Sequence, residues 1–285
     1  MKNVLVTGSN GQLGSELKQL IGVHPGFSFT FIDIEDLDFT DGLSVDRFFE
    51  GKSFDAIINC AAYTAVDKAE EEREMAYKVN EGIPRLLANK ANLNKAILVH
   101  VSTDFVFEGK AHKPLKETDD TYPVSIYGET KLAGEIAVST HAKKHFIIRT
   151  SWLYSTFGKN FVKTILNLSK SRDEMRIVAD QIGTPTYARD LAKVIMHILK
   201  TDSDNYGVYH FSNEGTASWF DFAHAIVELS GNECKVNPIP ASAYPTPAKR
   251  PAFSLMDKSK IKDTFDLEID HWTKPLKNCL DLIQD

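Results

Sequence analysis

A doubly wound α/β fold built on a parallel sheet, with a smaller C-terminal lobe, is what the sequence predicts. Three observations lead there. Short apolar runs alternate with segments whose apolar residues recur at helical spacing, the rhythm of βαβ units. The inner runs, Ala56-Ile57-Ile58 and Ile97-Leu98-Val99, are continuously apolar, so both sheet faces need helices over them. A glycine-rich turn joins the first strand to the first helix.

In chain order, Val4-Leu5-Val6 is a strand that stops at Thr7-Gly8, and Leu13, Leu17, Leu20 and Ile21 give residues 12–21 a helical stripe. Strands follow at 28–33 and 55–60, a helix at 71–91, a strand at 96–101, a helix at 125–139 and a strand at 145–150. Residues 1–150 therefore read as a dinucleotide-binding domain, to which 187–213 return. Beyond Thr150 helical patterns recur at 187–199 and 218–229, between turn-rich stretches at 181–185 and 238–251. Pro238, Pro240, Pro245, Pro247 and Pro251 exclude helix interior from the last of these. Residues 151–285 are expected to form mainly a substrate-binding lobe over the carboxyl ends of the strands, where open α/β sheets hold ligands.

Composition narrows the function. In 285 residues, 33 Lys and Arg against 39 Asp and Glu leave a net charge of −6. No positive field is available to collect a phosphate backbone, so nucleic acid is not an expected partner. No apolar run approaches the roughly 18 residues of a membrane span, so neither is a membrane. Cys60, Cys234 and Cys279 are far apart and form no CxxC pair, which suggests neither a disulfide framework nor a zinc site. A cytoplasmic protein is expected.

Glycines at 8, 11 and 14 in Gly8-Ser9-Asn10-Gly11-Gln12-Leu13-Gly14 stand between strand and helix, the Rossmann arrangement. They permit a tight turn and close approach of backbone N–H groups to a pyrophosphate at the positive helix N-terminus. An ordinary structural turn is the alternative, and the position between strand and helix favours the anion site. Asp33 closes the second strand about 20 residues further on, where a carboxylate can accept from ribose hydroxyls. No cation stands beside it to pair with a 2′-phosphate, which favours NADH over NADPH, although Asp33 is also readable as a solvated strand end beside Glu35 and Asp36.

Tyr127-Gly128-Glu129-Thr130-Lys131 sets a phenol and an ammonium one helical turn apart. Spacing alone is weak, but the preceding strand ends in Ser102-Thr103-Asp104, at the same edge of the sheet. Hydride reduction of a ketone leaves an alkoxide to be protonated. A tyrosine can supply that proton if a nearby cation stabilises its phenolate, while a threonine hydroxyl donates to the carbonyl oxygen. Tyr127, Lys131 and Thr103 are the candidate catalytic residues.

At this point the chain resembles the extended short-chain dehydrogenase/reductase family, over essentially its whole length. The similarity is carried by residues 8–14, 59–70, 102–107, 127–135, 149–152, 180–186 and 245–251. It implies reduction of the C4 ketone of dTDP-4-dehydro-L-rhamnose to dTDP-L-rhamnose by NADH or NADPH, with a dTDP-sugar as partner. By the same resemblance Gly8, Asn10, Gly11, Gln12, Leu13, Gly14, Asp33, Asp38, Phe39, Ala61, Ala62, Tyr63 and Asn80 contact the cofactor, together with Tyr127 and Lys131. Asp104, Phe107, Trp152, Asn160 and Arg250 are implied substrate contacts, although Trp152 and Phe107 also fit core positions and Arg250 a surface charge.

Some relatives form dimers through Mg2+ held by acidic side chains. Glu16 matches the first such position, but Arg189 stands where the next acid would be, so no metal ligand is assigned and a monomer is expected over a homodimer. Two rivals share the pattern. Nucleotide-sugar epimerases and dehydratases use the same turn and Tyr/Lys pair, but dehydratases need a second acid where this chain has Phe105. A non-catalytic regulatory subunit like that of methionine adenosyltransferase could keep the cofactor fold without turnover.

Overall fold

The structure is a computed structural model that describes residues 1–284. The chain runs β1 (Lys2–Thr7), α1 (Gln12–Gln19), β2 (Phe27–Ile32), α2 (Gly42–Phe49), β3 (Ala56–Asn59), α3 (Arg73–Tyr77), α4 (Ile83–Asn94), β4 (Ile97–Thr103), α5 (Ile126–His141) and β5 (His145–Thr150). It continues through β6 (Leu153–Tyr154), α6 (Phe161–Ser169), β7 (Glu174–Val178), β8 (Ile182–Gly183), β9 (Thr186–Tyr187), α7 (Ala188–Thr201) and β10 (Gly207–His210). The last elements are β11 (Ala217–Ser218), α8 (Trp219–Ser230), β12 (Lys235–Ile239), α9 (Ser259–Phe265) and α10 (Thr273–Gln284).

Six strands form one parallel sheet in the order β10-β5-β4-β3-β1-β2. Because side chains alternate across a strand, Val4, Val6, Ile58, Phe146 and Ile148 enter the layer under α1, α7 and α9. Leu5, Ile57, Leu98 and Ile147 enter the opposite layer, with α2, α4 and α5. This accounts for the unbroken apolar runs of the inner strands. A separate core gathers side chains from α6, β9, α8 and α10, with the parallel pair β7–β12, in the C-terminal lobe.

Register sets the site. Thr7 pairs with Asn59, Asn59 with His100, and Thr103 with Thr150, so the carboxyl ends of β1, β3, β4 and β5 finish along one edge. Behind that edge Glu135 of α5 takes a fork of hydrogen bonds from Arg149, with 2.8 Å from Nη2 and 3.0 Å from Nε, and accepts the Ser102 hydroxyl at 2.5 Å. Both partners of this ion pair are buried.

The expected strands are present, shifted by one or two residues at their ends. The expected helix at 71–91 is a longer course from Arg73 to Asn94, interrupted by a π-helical turn at Lys78–Gly82. The first helix stops at Gln19, before Ile21, which opens a short 3-10 turn and is exposed. The elements α2, α6, α9, α10 and the β7–β12 pair were not anticipated. Strand β10 lies within the segment expected to return to the sheet, and it pairs with β5.

Candidate active site

The glycine turn sits at the end of β1. Gly8 adopts φ +65°, and a Cβ there would come within 2.6 Å of the Ala61 backbone nitrogen, so the turn and the β3 loop touch directly. A Cβ on Gly14 would lie 2.5 Å from the Gly8 carbonyl, which lets α1 pack against the turn. The N-cap of α1 is Gly11, which offers no side chain to the first-turn N–H groups, and no acid stands in that turn. Uncapped donors and an unopposed helix dipole fit an anionic group such as a pyrophosphate.

Asp33 follows β2 and accepts the Asn10 N–H at 2.6 Å and its neighbour Ile34 N–H at 2.8 Å. Asn10 in turn meets Glu35 and, through its Oδ1, Lys18 at 2.9 Å. Phe39 and Asp33 both line the cleft. Asp38 is exposed and caps its own turn, accepting the Thr40 N–H and hydroxyl, and neither it nor Asn10 stands on the cleft wall.

On the other side of the turn, Ala61, Ala62 and Tyr63 line the cleft. Asn80 is buried behind them. The π-helical turn, a feature frequent at functional sites, aims its amide inward. Its Oδ1 accepts the Tyr63 N–H at 2.8 Å, and its Nδ2 donates to the Tyr63 carbonyl and to Thr130 Oγ1. Asn80 thus holds the Tyr63 loop from behind rather than lining the cleft itself.

At the floor, β4 delivers Thr103 and α5 delivers Tyr127 and Lys131. Ser125 caps α5 by accepting the Gly128 N–H at 3.2 Å, which fixes the start of the helix two residues before Tyr127. Lys131 is 2% exposed and donates to the Val101 carbonyl at 2.7 Å. Burial pulls its ammonium down to about 8, against the opposing influence of Glu135. The Tyr127 phenol is pushed by burial up to about 12, with the Thr103 hydroxyl facing it, so it is a protonated donor at neutral pH. Thr103 Oγ1 accepts the Phe105 N–H at 3.2 Å and reaches Asp104 Oδ1 at 3.1 Å.

Asp104 is 2% exposed, and its Oδ2 has no hydrogen-bond partner within the chain. Burial pushes its carboxyl up to about 6 although the Ser254 and Thr103 hydroxyls face it. Trp152 lines the cleft opposite, stacked on Trp219. Arg250 also reaches the wall, with its guanidinium forked on Asp67 at 2.8 and 3.1 Å, which ties the proline-rich segment to the β3 loop.

Two expected contacts lie elsewhere. Phe107 is 1% exposed and packs edge-on against His210 within the core. Asn160 caps α6, accepting the Lys163 N–H at 3.1 Å, and its amide binds Gln12 Oε1 and the Ser155 carbonyl. It joins the lobe to the cofactor turn from outside the cleft. Residues missed by the sequence reading include Phe161, Gln181, Trp219, Tyr244 and Thr246 on the lobe side. Trp219 carried a readable signal, since Ser218 and Asp221 before an apolar run are a capping-box pattern.

The cleft encloses about 1300 Å³. Drug-sized sites occupy about 300–1,000 Å³, so this one is large enough for a dinucleotide and a second ligand together. Glu16, the position implied for a shared cation, is paired within the chain. Fully buried, it accepts Arg189 Nε at 2.9 Å and the Ser155 hydroxyl at 2.6 Å. Among the described residues no group of three His, Cys, Asp or Glu side chains could hold a metal ion.

The family model described as the RmlD substrate binding domain matches residues 1–284. A curated relative from Aggregatibacter actinomycetemcomitans, named dTDP-4-dehydrorhamnose reductase, is 41% identical over 288 residues, covering 98% of each chain. A crystal structure of a dTDP-4-dehydrorhamnose reductase from Clostridium acetobutylicum superposes with a TM-score of 0.94 at 44% identity, over 99% of this chain and 100% of that one. The Bacillus anthracis dTDP-4-dehydrorhamnose reductase, solved in complex with NADP, matches with a TM-score of 0.94 at 38% identity, over 99% of both chains.

Proposed function

The chain belongs to the RmlD substrate binding domain family, and from that premise we propose that it reduces the C4 ketone of dTDP-4-dehydro-L-rhamnose to dTDP-L-rhamnose at the expense of a nicotinamide cofactor. The observation that carries the reading is the meeting of Thr103, Tyr127 and Lys131 on the floor of a cleft whose other end is the uncapped α1 N-terminus.

The bound cofactor supplies the hydride. The turn Gly8–Leu13 would hold its pyrophosphate, with the Gln12 and Leu13 N–H groups at the open start of α1, and Asp33 would accept from the adenosine ribose. Tyr127 holds its proton at neutral pH and delivers it to the oxygen at C4 as negative charge develops there. The Thr103 hydroxyl donates to the same oxygen. Lys131, tethered to the Val101 carbonyl, sets a positive charge one turn along α5 that stabilises the phenolate left behind. Trp152 and Arg250 face the sugar nucleotide from the lobe.

NADH is the proposed partner. The carboxylates Asp33, Glu35 and Asp36 cluster where a 2′-phosphate would sit, and Lys18 is directed to Asn10. The Glu16–Arg189 pair, in place of a shared cation, supports a monomer. Three free cysteines fit the reducing cytoplasm, and among the described residues no helix is long and apolar enough to cross a membrane.

The test follows loss of reduced-nicotinamide absorbance with enzymatically made dTDP-4-dehydro-L-rhamnose, first with NADH, then with NADPH. Saturable, sugar-dependent oxidation is expected, with the higher kcat/KM for NADH. Binding of NADH without turnover of the sugar would refute the reductase reading and favour the regulatory one. Conversion of a nucleotide sugar without net cofactor consumption would favour an epimerase.

A further inference from the structure

Trp152 is held in a conformation that a tryptophan does not adopt unaided. Its φ is +47°, in the left-handed region, and bulky non-glycine residues stay there only when the surroundings over-determine them. Its indole stacks on Trp219 with ring centroids 3.8 Å apart and planes 13° from parallel. That overlap is closer to a face-to-face sandwich than the offset or edge-on geometry aromatic pairs prefer. Two unfavourable arrangements therefore coincide on one side chain in the wall of the cleft.

The surroundings that impose them are built from three directions. Trp219 opens α8, and a capping box fixes that helix start, the Asp221 N–H reaching Ser218 Oγ at 3.0 Å and the Ser218 N–H reaching Asp221 at 2.8 Å. Phe161 backs Trp219 at 4.7 Å. On the Trp152 side, β8 pairs with β11 so that Gly183 stands opposite Ala217, two residues before Trp219. A Cβ on Gly183 would come within 2.9 Å of Trp152 Cε2. The Trp152 carbonyl is fastened by the Thr186 N–H at 3.2 Å.

We propose that Trp219 is a positioning residue for the sugar-nucleotide substrate, which with Gly183 clamps Trp152 in its left-handed conformation so that the indole stands ready as a wall of the substrate site. The inference rests on the reductase reading above, in which Trp152 faces the sugar. Without the clamp, Trp152 relaxes to ordinary backbone geometry and only a fraction of molecules presents the wall. Apparent affinity falls by that fraction.

The chain has 3 tryptophans, and the third, Trp272, meets Phe222 edge-on at 5.9 Å. A stacked pair of indoles gives an exciton couplet in far-ultraviolet circular dichroism, so here the couplet reports the Trp152–Trp219 pair. It is expected in the wild type and in Trp272→Phe, and lost in Trp219→Leu and Trp152→Phe. Trp219→Leu is expected to raise KM for dTDP-4-dehydro-L-rhamnose, and Kd for dTDP-L-rhamnose measured by calorimetry, by about 10-fold through the depleted competent fraction, with KM for NADH unchanged. Trp219→Phe, which keeps an aromatic face, restores most of the affinity.

Gly183→Ala is the second variant. Its methyl group displaces Trp152 from the opposite side without backbone strain of its own, and it should raise the same KM even if Trp219→Leu folds poorly. Wild-type KM in both Trp219→Leu and Gly183→Ala, in an enzyme whose wild type reduces the sugar, overturns the clamp alone. A wild type that neither reduces nor binds the sugar nucleotide overturns the reductase reading and the clamp with it.

Discussion

Replacing Asp104 by Asn is expected to change stability in a way that depends on pH with a calculable sign. The carboxyl is 2% exposed, and burial raises it from 3.8 to about 6. A carboxyl whose folded value lies above its unfolded value binds more protons in the native state. It therefore removes stability as pH rises through that window, and the full penalty stands above about pH 6. The displacement corresponds to about 3 kcal/mol at neutral pH, of which roughly half develops above pH 5. Asparagine has nearly the same shape and carries no charge, so it escapes this penalty. Any contact its amide makes with the neighbouring Thr103 and Ser254 hydroxyls is between uncharged groups and does not vary with pH. Urea unfolding of wild type and Asp104→Asn at pH 5, 6, 7 and 8 isolates the pH-dependent part, provided the m-values agree. The variant should gain on the wild type by roughly 1–1.5 kcal/mol between the first and last of these. A difference that stays flat with pH would show that Asp104 is an ordinary, fully ionised carboxylate and that its unpartnered oxygen is of no energetic consequence.

Three further substitutions probe the site and its support. Tyr127→Phe keeps the ring and removes the proton, and kcat should fall roughly 10²–10⁴-fold with little change in KM for NADH; near-normal kcat would exclude Tyr127 as the donor. Gly8→Ala places a methyl group within 2.6 Å of the Ala61 nitrogen at a positive φ, and it should abolish NADH binding measured by fluorescence titration while leaving a cooperative but weakened thermal transition. Glu135→Leu strands the buried Arg149 guanidinium behind the catalytic helix, and a loss of about 3–5 kcal/mol in urea unfolding is expected; a loss under 1 kcal/mol would mean that solvent reaches the arginine.

What was legible in the sequence follows from what is local. The glycine turn and the apolar inner strands are each decided within a few residues, and the pattern of near neighbours places them. The weaker elements depend on partners far along the chain. Strand β10 is four residues long, and its place beside β5 is set by α7 crossing the sheet. The β7–β12 pair joins segments separated by α7 and α8, and its two strands carry few buried residues of their own.

The site divides along the same line. Thr103, Tyr127 and Lys131 were readable because one strand end and one helix turn deliver them. Phe107 belongs to a matching stretch and Asn160 was implied by the resemblance outside any of them, but burial takes the first off the cleft wall and capping of α6 the second. Trp219 went unseen for the opposite reason. Its helix start is written in Ser218 and Asp221, yet its place on the cleft wall against Trp152 is set by the fold, and no sequence pattern reports the left-handed backbone of Trp152. A residue that acts by holding another in a costly conformation leaves its trace in dihedral angles and ring distances rather than in sequence spacing.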